Sequence, residues 1–196
     1  MIMTQTKTQK ICTAGLATVL LGTSGIALAD RTPLYLSGGA GIGANNLTSD
    51  GSLGEVETEA TSGLLRSLKA GFMLNDRNAL YVHARSSDFD YETEDTNIEF
   101  EDAQTTLIGL GYTHYTSPTA GSPYFEVTAG MAGFNVEDNS FDIESSGKGI
   151  LVGAGYEFNK HLQMGAVYTM AETEDDDDSD TTYTTSSLGL KVELKL

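Results

Sequence analysis

From residue 30 onward the chain alternates apolar residues with small or polar ones, the period-two signature of a strand with two unlike faces. The last stretch shows it best. Leu188, Leu190, Val192, Leu194 and Leu196 share one face, and Gly189, Lys191, Glu193 and Lys195 share the other. Upstream, Leu162, Met164, Ala166, Tyr168 and Met170 oppose Gln163, Gly165, Val167 and Thr169. Ile150, Val152, Ala154, Tyr156 and Phe158 oppose Gly149, Gly153, Gly155 and Glu157. Phe125, Val127, Ala129 and Met131 oppose Glu126, Thr128, Gly130 and Ala132. The same alternation predicts earlier strands near 33–44, 63–74, 79–90 and 102–115, eight in all. No stretch of similar length after residue 29 carries a helical period.

The connections alternate in length. Asn75-Asp76-Arg77-Asn78, Thr116 to Ser122 and Asn159-Lys160 are tight turns, whereas 45–62, 88–101, 135–147 and 172–182 read as long polar loops. The bulky face is apolar, and the opposite face holds Gly, Ser, Thr and a few charges. A soluble barrel would bury the bulky face; a barrel in lipid inverts it. Short turns at one end and long loops at the other fit an outer-membrane barrel, and closure removes the strand edges that lipid penalises. The expected fold is all-β, an eight-stranded antiparallel up-and-down transmembrane β-barrel. A soluble periplasmic barrel is the competing arrangement. Gly39, Gly41, Gly71, Gly109, Gly111, Gly153, Gly155 and Gly189 fall on the inward face and suit a crowded lumen. Tyr35, Phe72, Tyr112, Tyr156, Phe158 and Tyr168 are expected in interfacial girdles.

The first 29 residues follow another logic. Lys7 and Lys10 precede an apolar run from Ile11 to Leu21, and Ala27-Leu28-Ala29 offers a small-x-small cleavage site before Asp30. This is the layout of a cleavable signal peptide, with a short anchor helix as the alternative. The division is therefore 1–29 signal peptide and 30–196 barrel domain, exported through the periplasm to the Gram-negative outer membrane.

Composition narrows the partners. The chain carries 11 Lys+Arg against 28 Asp+Glu, a formal net charge of −17, which argues against nucleic acid. One Cys, Cys12, excludes a disulfide framework and a multi-Cys metal site. The acids are concentrated: 22 of the 28 fall in the four predicted outer loops, which hold no Lys or Arg, and Asp102 borders one of them. The cluster Glu92, Glu94 and Asp95 and the run Glu174, Asp175, Asp176, Asp177, Asp178 and Asp180 stand out. They read either as a solvated, repulsive surface or as weak Ca²⁺ or Mg²⁺ ligands bridging to lipopolysaccharide phosphates. The second run lacks the Gly and terminal Glu of an EF-hand loop, so no metal is firmly assigned.

Inward charges form the second candidate set. The alternation turns Lys69, His83, Arg85, Glu126, Glu157, Lys191 and Glu193 into the lumen. Charges confined there must pair, and Glu126 with Arg85 or Lys69 is the expected pairing, together with Glu193 and the neighbours of Lys191. Such a network either closes the lumen or gates a narrow, cation-preferring pore. Arg66 and Lys148 lie near the outer strand ends, where they either contact lipid phosphates or cap the girdle.

Catalysis finds little material. His114-Tyr115-Thr116 departs from a His-x-Ser pattern and falls at the turn end, His83 lacks a matching nucleophile, and His161 follows a turn. A lipid A-modifying enzyme is the weakest of the functional readings.

With these features in place, the chain resembles the small eight-stranded outer-membrane barrels of the OmpX and OmpA-barrel type. The resemblance rests on Leu34-Tyr35-Leu36-Ser37-Gly38-Gly39-Ala40-Gly41-Ile42-Gly43, Pro123-Tyr124-Phe125, Val152-Gly153-Ala154-Gly155-Tyr156-Glu157-Phe158 and the terminal strand, besides the signal peptide. It implies a monomer in outer-membrane lipid and lipopolysaccharide, inserted by the barrel-assembly machinery and without cofactor. Such barrels end in an aromatic residue, whereas this one ends in Leu196; the departure implies a weaker assembly signal on an unchanged fold. The expected role is porin-like in architecture but non-enzymatic: a plugged barrel that displays acidic loops for envelope structure or surface interaction.

Overall fold

The computed structural model describes residues 33–51, 54–92, 99–138, 141–175 and 181–196, so the predicted signal peptide lies outside the described residues. Eight strands follow one another: β1 Leu34–Gly51, β2 Gly54–Asn75, β3 Asn78–Glu92, β4 Glu99–Tyr115, β5 Ser122–Asp138, β6 Phe141–Asn159, β7 Leu162–Asp175 and β8 Thr182–Lys195. Each pairs antiparallel with the next, and β1 pairs with β8, so the sheet closes into a barrel. The seam is continuous, with Gly41 opposite Lys191 and Gly39 opposite Glu193. Among the described residues there is no helix.

The predicted strands are present but too short. The stretches expected to be long polar loops are largely strand: β1 runs on to Gly51, β2 begins at Gly54 and β5 continues to Asp138. The lipid-facing alternation that marks a strand in the sequence stops at the membrane boundary. Beyond it the outward face is no longer apolar, and the ladder continues on backbone hydrogen bonds that leave no such pattern.

At the opposite end the turns are tight, and asparagine shapes two of them. Asn75 Oδ1 accepts the Arg77 N–H at 2.9 Å, and Asn159 Oδ1 accepts the His161 N–H at 2.8 Å. Both are Asx turns. The second turn therefore consists of Lys160 and His161, one residue later than expected, because Asn159 completes β6. In the third turn Gly121 adopts φ 82, a left-handed conformation that a side chain would strain. The Gly121 carbonyl accepts the Tyr156 hydroxyl at 2.9 Å.

The outer surface carries an apolar band. Ile42, Leu68, Ile108, Leu110, Phe125, Met131, Leu188, Leu190 and Leu194 are exposed, Leu110 at 67%. A surface this apolar has no place in water, but it matches the hydrocarbon of a bilayer. On β8 the band runs from Leu188 to Leu196, a length that crosses a bilayer when tilted. Tyr112, Tyr156 and Phe158 lie outside at the turn end, with the last two rings 5.3 Å apart. Tyr35 departs from the girdle expected for it. It is 4% exposed and stacks on Tyr81 inside the barrel at 5.2 Å.

Candidate functional site: the lumen

The inward side chains stack in layers along the barrel axis. At the turn end Tyr35, Met73, Ala79, Tyr81, Tyr115 and Tyr124 form one cluster. A middle cluster joins Leu65, Leu107, Ala132, Leu151, Val167 and Ala171. A third, at the hairpin end, joins Phe89, Ala103, Phe134, Val136 and Tyr183.

Glycine makes room for the first cluster. A Cβ on Gly111 would lie 2.0 Å from Tyr81 Cε2, and one on Gly165 would lie 2.4 Å from the Tyr124 hydroxyl. The small inward positions are thus the complement of the inward rings.

Between the first two clusters lies an ionic knot. Lys69 Nζ contacts Glu126 Oε2 at 2.5 Å and Glu193 Oε1 at 2.8 Å. Lys191 Nζ contacts Glu126 Oε1 at 2.5 Å and Glu193 Oε2 at 3.1 Å. Two ammonium groups and two carboxylates thus alternate around a closed ring supplied by β2, β5 and β8. Gln163 Nε2 donates to Glu193 Oε2 at 2.6 Å, and the Tyr115 hydroxyl donates to Gln163 Oε1 at 3.1 Å. Lys195 Nζ donates to the Tyr115 hydroxyl at 3.2 Å and pairs with Glu157. The polar chain therefore runs from the knot to the turn-end rim. The Lys69 ammonium also stands 5.2 Å from the centre of the Tyr81 ring.

All of Lys69, His83, Arg85, Glu126, Glu157, Lys191 and Glu193 are buried. Lys69, Glu126, Lys191 and Glu193 meet in the knot, and Glu157 joins through Lys195. Two do not meet it as expected. Arg85 makes no ion pair with Glu126; its Nη2 donates to Ser187 Oγ at 3.0 Å. The inward face of β3 carries it past the knot, toward the hairpin end. His83 Nδ1 lies 2.9 Å from Thr128 Oγ1. Lys195, Gln163 and Tyr115 join the network without having been among the expected lumen charges. The parity of Gln163 and Lys195 already assigned them inward, so the alternation held the signal.

The remaining histidines make structural contacts. His114 Nδ1–H donates to Asn78 Oδ1 at 2.8 Å, and His161 Nδ1–H donates to the Lys195 carbonyl at 3.0 Å. Near the outer edge of the apolar band, Arg66 pairs with Asp88 at 2.8 Å and Lys148 with Glu172 at 3.6 Å. Of the acidic candidates, Glu94, Asp95, Asp176, Asp177, Asp178 and Asp180 lie outside the described residues. Glu92 closes β3, and Glu174 and Asp175 close β7. The Tyr183 hydroxyl donates to Asp175 Oδ2 at 3.1 Å. Among the described residues no group of three or more His, Cys, Asp or Glu side chains is placed to hold a metal ion.

A closed antiparallel barrel, apolar outside and charged within, is the architecture of a membrane-spanning outer-membrane barrel. The chain belongs to the outer membrane protein beta-barrel domain family, whose model matches residues 14–194. Among solved structures it is similar in fold to Neisserial surface protein A. The two are 18% identical, the match covers 84% of this chain and 98% of that one, and the TM-score is 0.53. The outer membrane protein OprG from Pseudomonas aeruginosa is 11% identical over 86% of this chain and 98% of that one, with a TM-score of 0.50. No curated protein matches the sequence.

Proposed function

We propose that the chain is a non-enzymatic outer-membrane barrel with a closed lumen, and that its work is done at the surface by its acidic hairpins. The observation that carries this reading is the ionic knot, backed by the Leu65, Leu107, Leu151 and Val167 layer on its hairpin side. A hydrated ion entering from outside must first cross apolar side chains and then break contacts in which every carboxylate already has a cation. The hairpin strands run well past the apolar band and carry the acids outward, in support of a role in envelope structure or surface interaction. In this reading the protein is exported by its signal peptide, inserted by the assembly machinery, and works as a monomer. Arg66 and Lys148, 59% and 82% exposed in their side chains, face lipopolysaccharide phosphates at the outer edge of the band.

The test is single-channel recording on refolded protein in a planar bilayer, with insertion verified independently. The expected result is a silent membrane. Reproducible small cation-selective steps would overturn the closed-lumen reading and make the knot a gate. Lipid A deacylation that disappears on changing His83 or His114 would overturn the non-enzymatic one.

A further inference from the structure

We propose that the lumen holds one small monovalent anion, of the chloride class, in a cavity beside Arg85. The argument begins with charge. The buried charged side chains among the described residues are Lys69, Arg85, Lys191 and Lys195 against Glu126, Glu157 and Glu193, with His83 aside. Cations exceed carboxylates by one. The knot uses two of each, and Lys195 pairs with Glu157. The excess therefore falls on Arg85, which is 7% exposed and, among the described residues, has a neutral hydroxyl as its side-chain partner. Glu126, held in contact by Lys69 and Lys191, acts on this guanidinium only from a distance. A buried guanidinium without a carboxylate in contact is costly, and an anion beside it lowers that cost.

The second observation is geometric. Arg85 lines a cavity of about 20 Å³ together with Asn45, Ser87, Thr169 and Ser187. Asn45 Nδ2 and Thr169 Oγ1 are buried and have no hydrogen-bond partner among the described residues. The Asn45 amide is held in orientation because its Oδ1 accepts the Ser87 hydroxyl at 3.1 Å, which leaves Nδ2 as a spare donor. A guanidinium, an amide N–H and a hydroxyl thus belong to residues that line one small space. The volume has room for a ligand the size of a water or a halide. Water satisfies the donors but not the charge; a halide satisfies both. The site lies on the hairpin side of the Leu107 layer, apart from the knot, and the inference does not depend on whether the barrel conducts.

The experiment compares thermal unfolding of the refolded full-length protein in sodium chloride and in sodium gluconate at equal ionic strength. Chloride is expected to raise the midpoint by about 3 °C over gluconate, because a ligand held by the folded state alone stabilises it. The difference should vanish in Arg85→Gln. Thr169→Val, which keeps the shape and removes one donor, covers the case in which Arg85→Gln does not fold, and it should lose much of the difference. Crystals grown in sodium bromide should show an anomalous peak beside the Arg85 guanidinium. Equal midpoints in the two salts would overturn the proposal, since water or a carboxylate of this chain then serves Arg85. A chloride effect undiminished in both variants, or no bromide peak in the cavity, would overturn it equally.

Discussion

Lys69 and Glu126 stand 57 residues apart in the sequence and 2.5 Å apart across the lumen, joining strands that are not neighbours in the sheet. Both side chains are fully buried. Neither can turn to water if the other is lost. Replacing Lys69 with Met leaves Glu126 and Glu193 sharing Lys191 alone, and the variant should lose about 3–5 kcal/mol of stability. Urea unfolding of the refolded barrel in micelles measures it. The double change Lys69→Met with Glu193→Gln should recover part of the loss, and a double-mutant cycle gives the coupling directly.

The same residue type should matter little outside. Lys148 reaches Glu172 at 3.6 Å with its side chain 82% exposed. Lys148→Gln is expected to shift unfolding stability by no more than about 0.5 kcal/mol. A larger loss in the same assay would mean that Lys148 holds something heavier than a surface pair.

Gly111→Ala tests the fit between small inward positions and tyrosine rings. The new methyl meets the Tyr81 ring, whose hydroxyl is tied to Thr113 Oγ1 at 2.9 Å and whose face stacks on Tyr35. The ring has little room to yield, so a loss of about 1–3 kcal/mol is expected. The variant combined with Tyr81→Leu should be less harmful than Gly111→Ala alone, relative to the matching parent.

Calcium or magnesium titrated calorimetrically into the refolded protein should give weak, gradual heats, with affinities no tighter than about the millimolar range of loose carboxylate sites. Saturation at one equivalent with micromolar affinity would point to a dedicated site in the outer hairpins. A complete absence of heat would remove ion association from their role.

Much of the barrel was legible because the bilayer forces a two-faced strand, and two-faced strands announce themselves at every second residue. That is how Lys69, Glu126, Glu157, Lys191 and Glu193 could be assigned to the inside. Their partners were harder to read. Which inward residues share a level depends on the stagger between strands, and no single strand records it. Alternation alone therefore leaves Glu126 open to Arg85 or Lys69; the stagger gives it Lys69 and carries Arg85 to Ser187. Tyr35 failed for a different reason: a phenol suits an interface girdle and a stacked lumen equally well, and only the Tyr81 ring opposite decides. The outer strand ends escaped notice because ladder hydrogen bonds need no particular side chains.

The seam between β1 and β8 has a consequence for the order of assembly. Lys191, Glu193 and Lys195 all arrive on the last strand, so neither the ring around Lys69 nor the Glu157 pair is complete until that strand docks. Before docking, the ring lacks Lys191 and Glu193, and lipid stabilises neither an incomplete set of counter-ions nor an open sheet edge. Closing the edge and completing the counter-ions are then one event. Half-zipped forms are penalised twice over, and insertion tends toward a single all-or-none step.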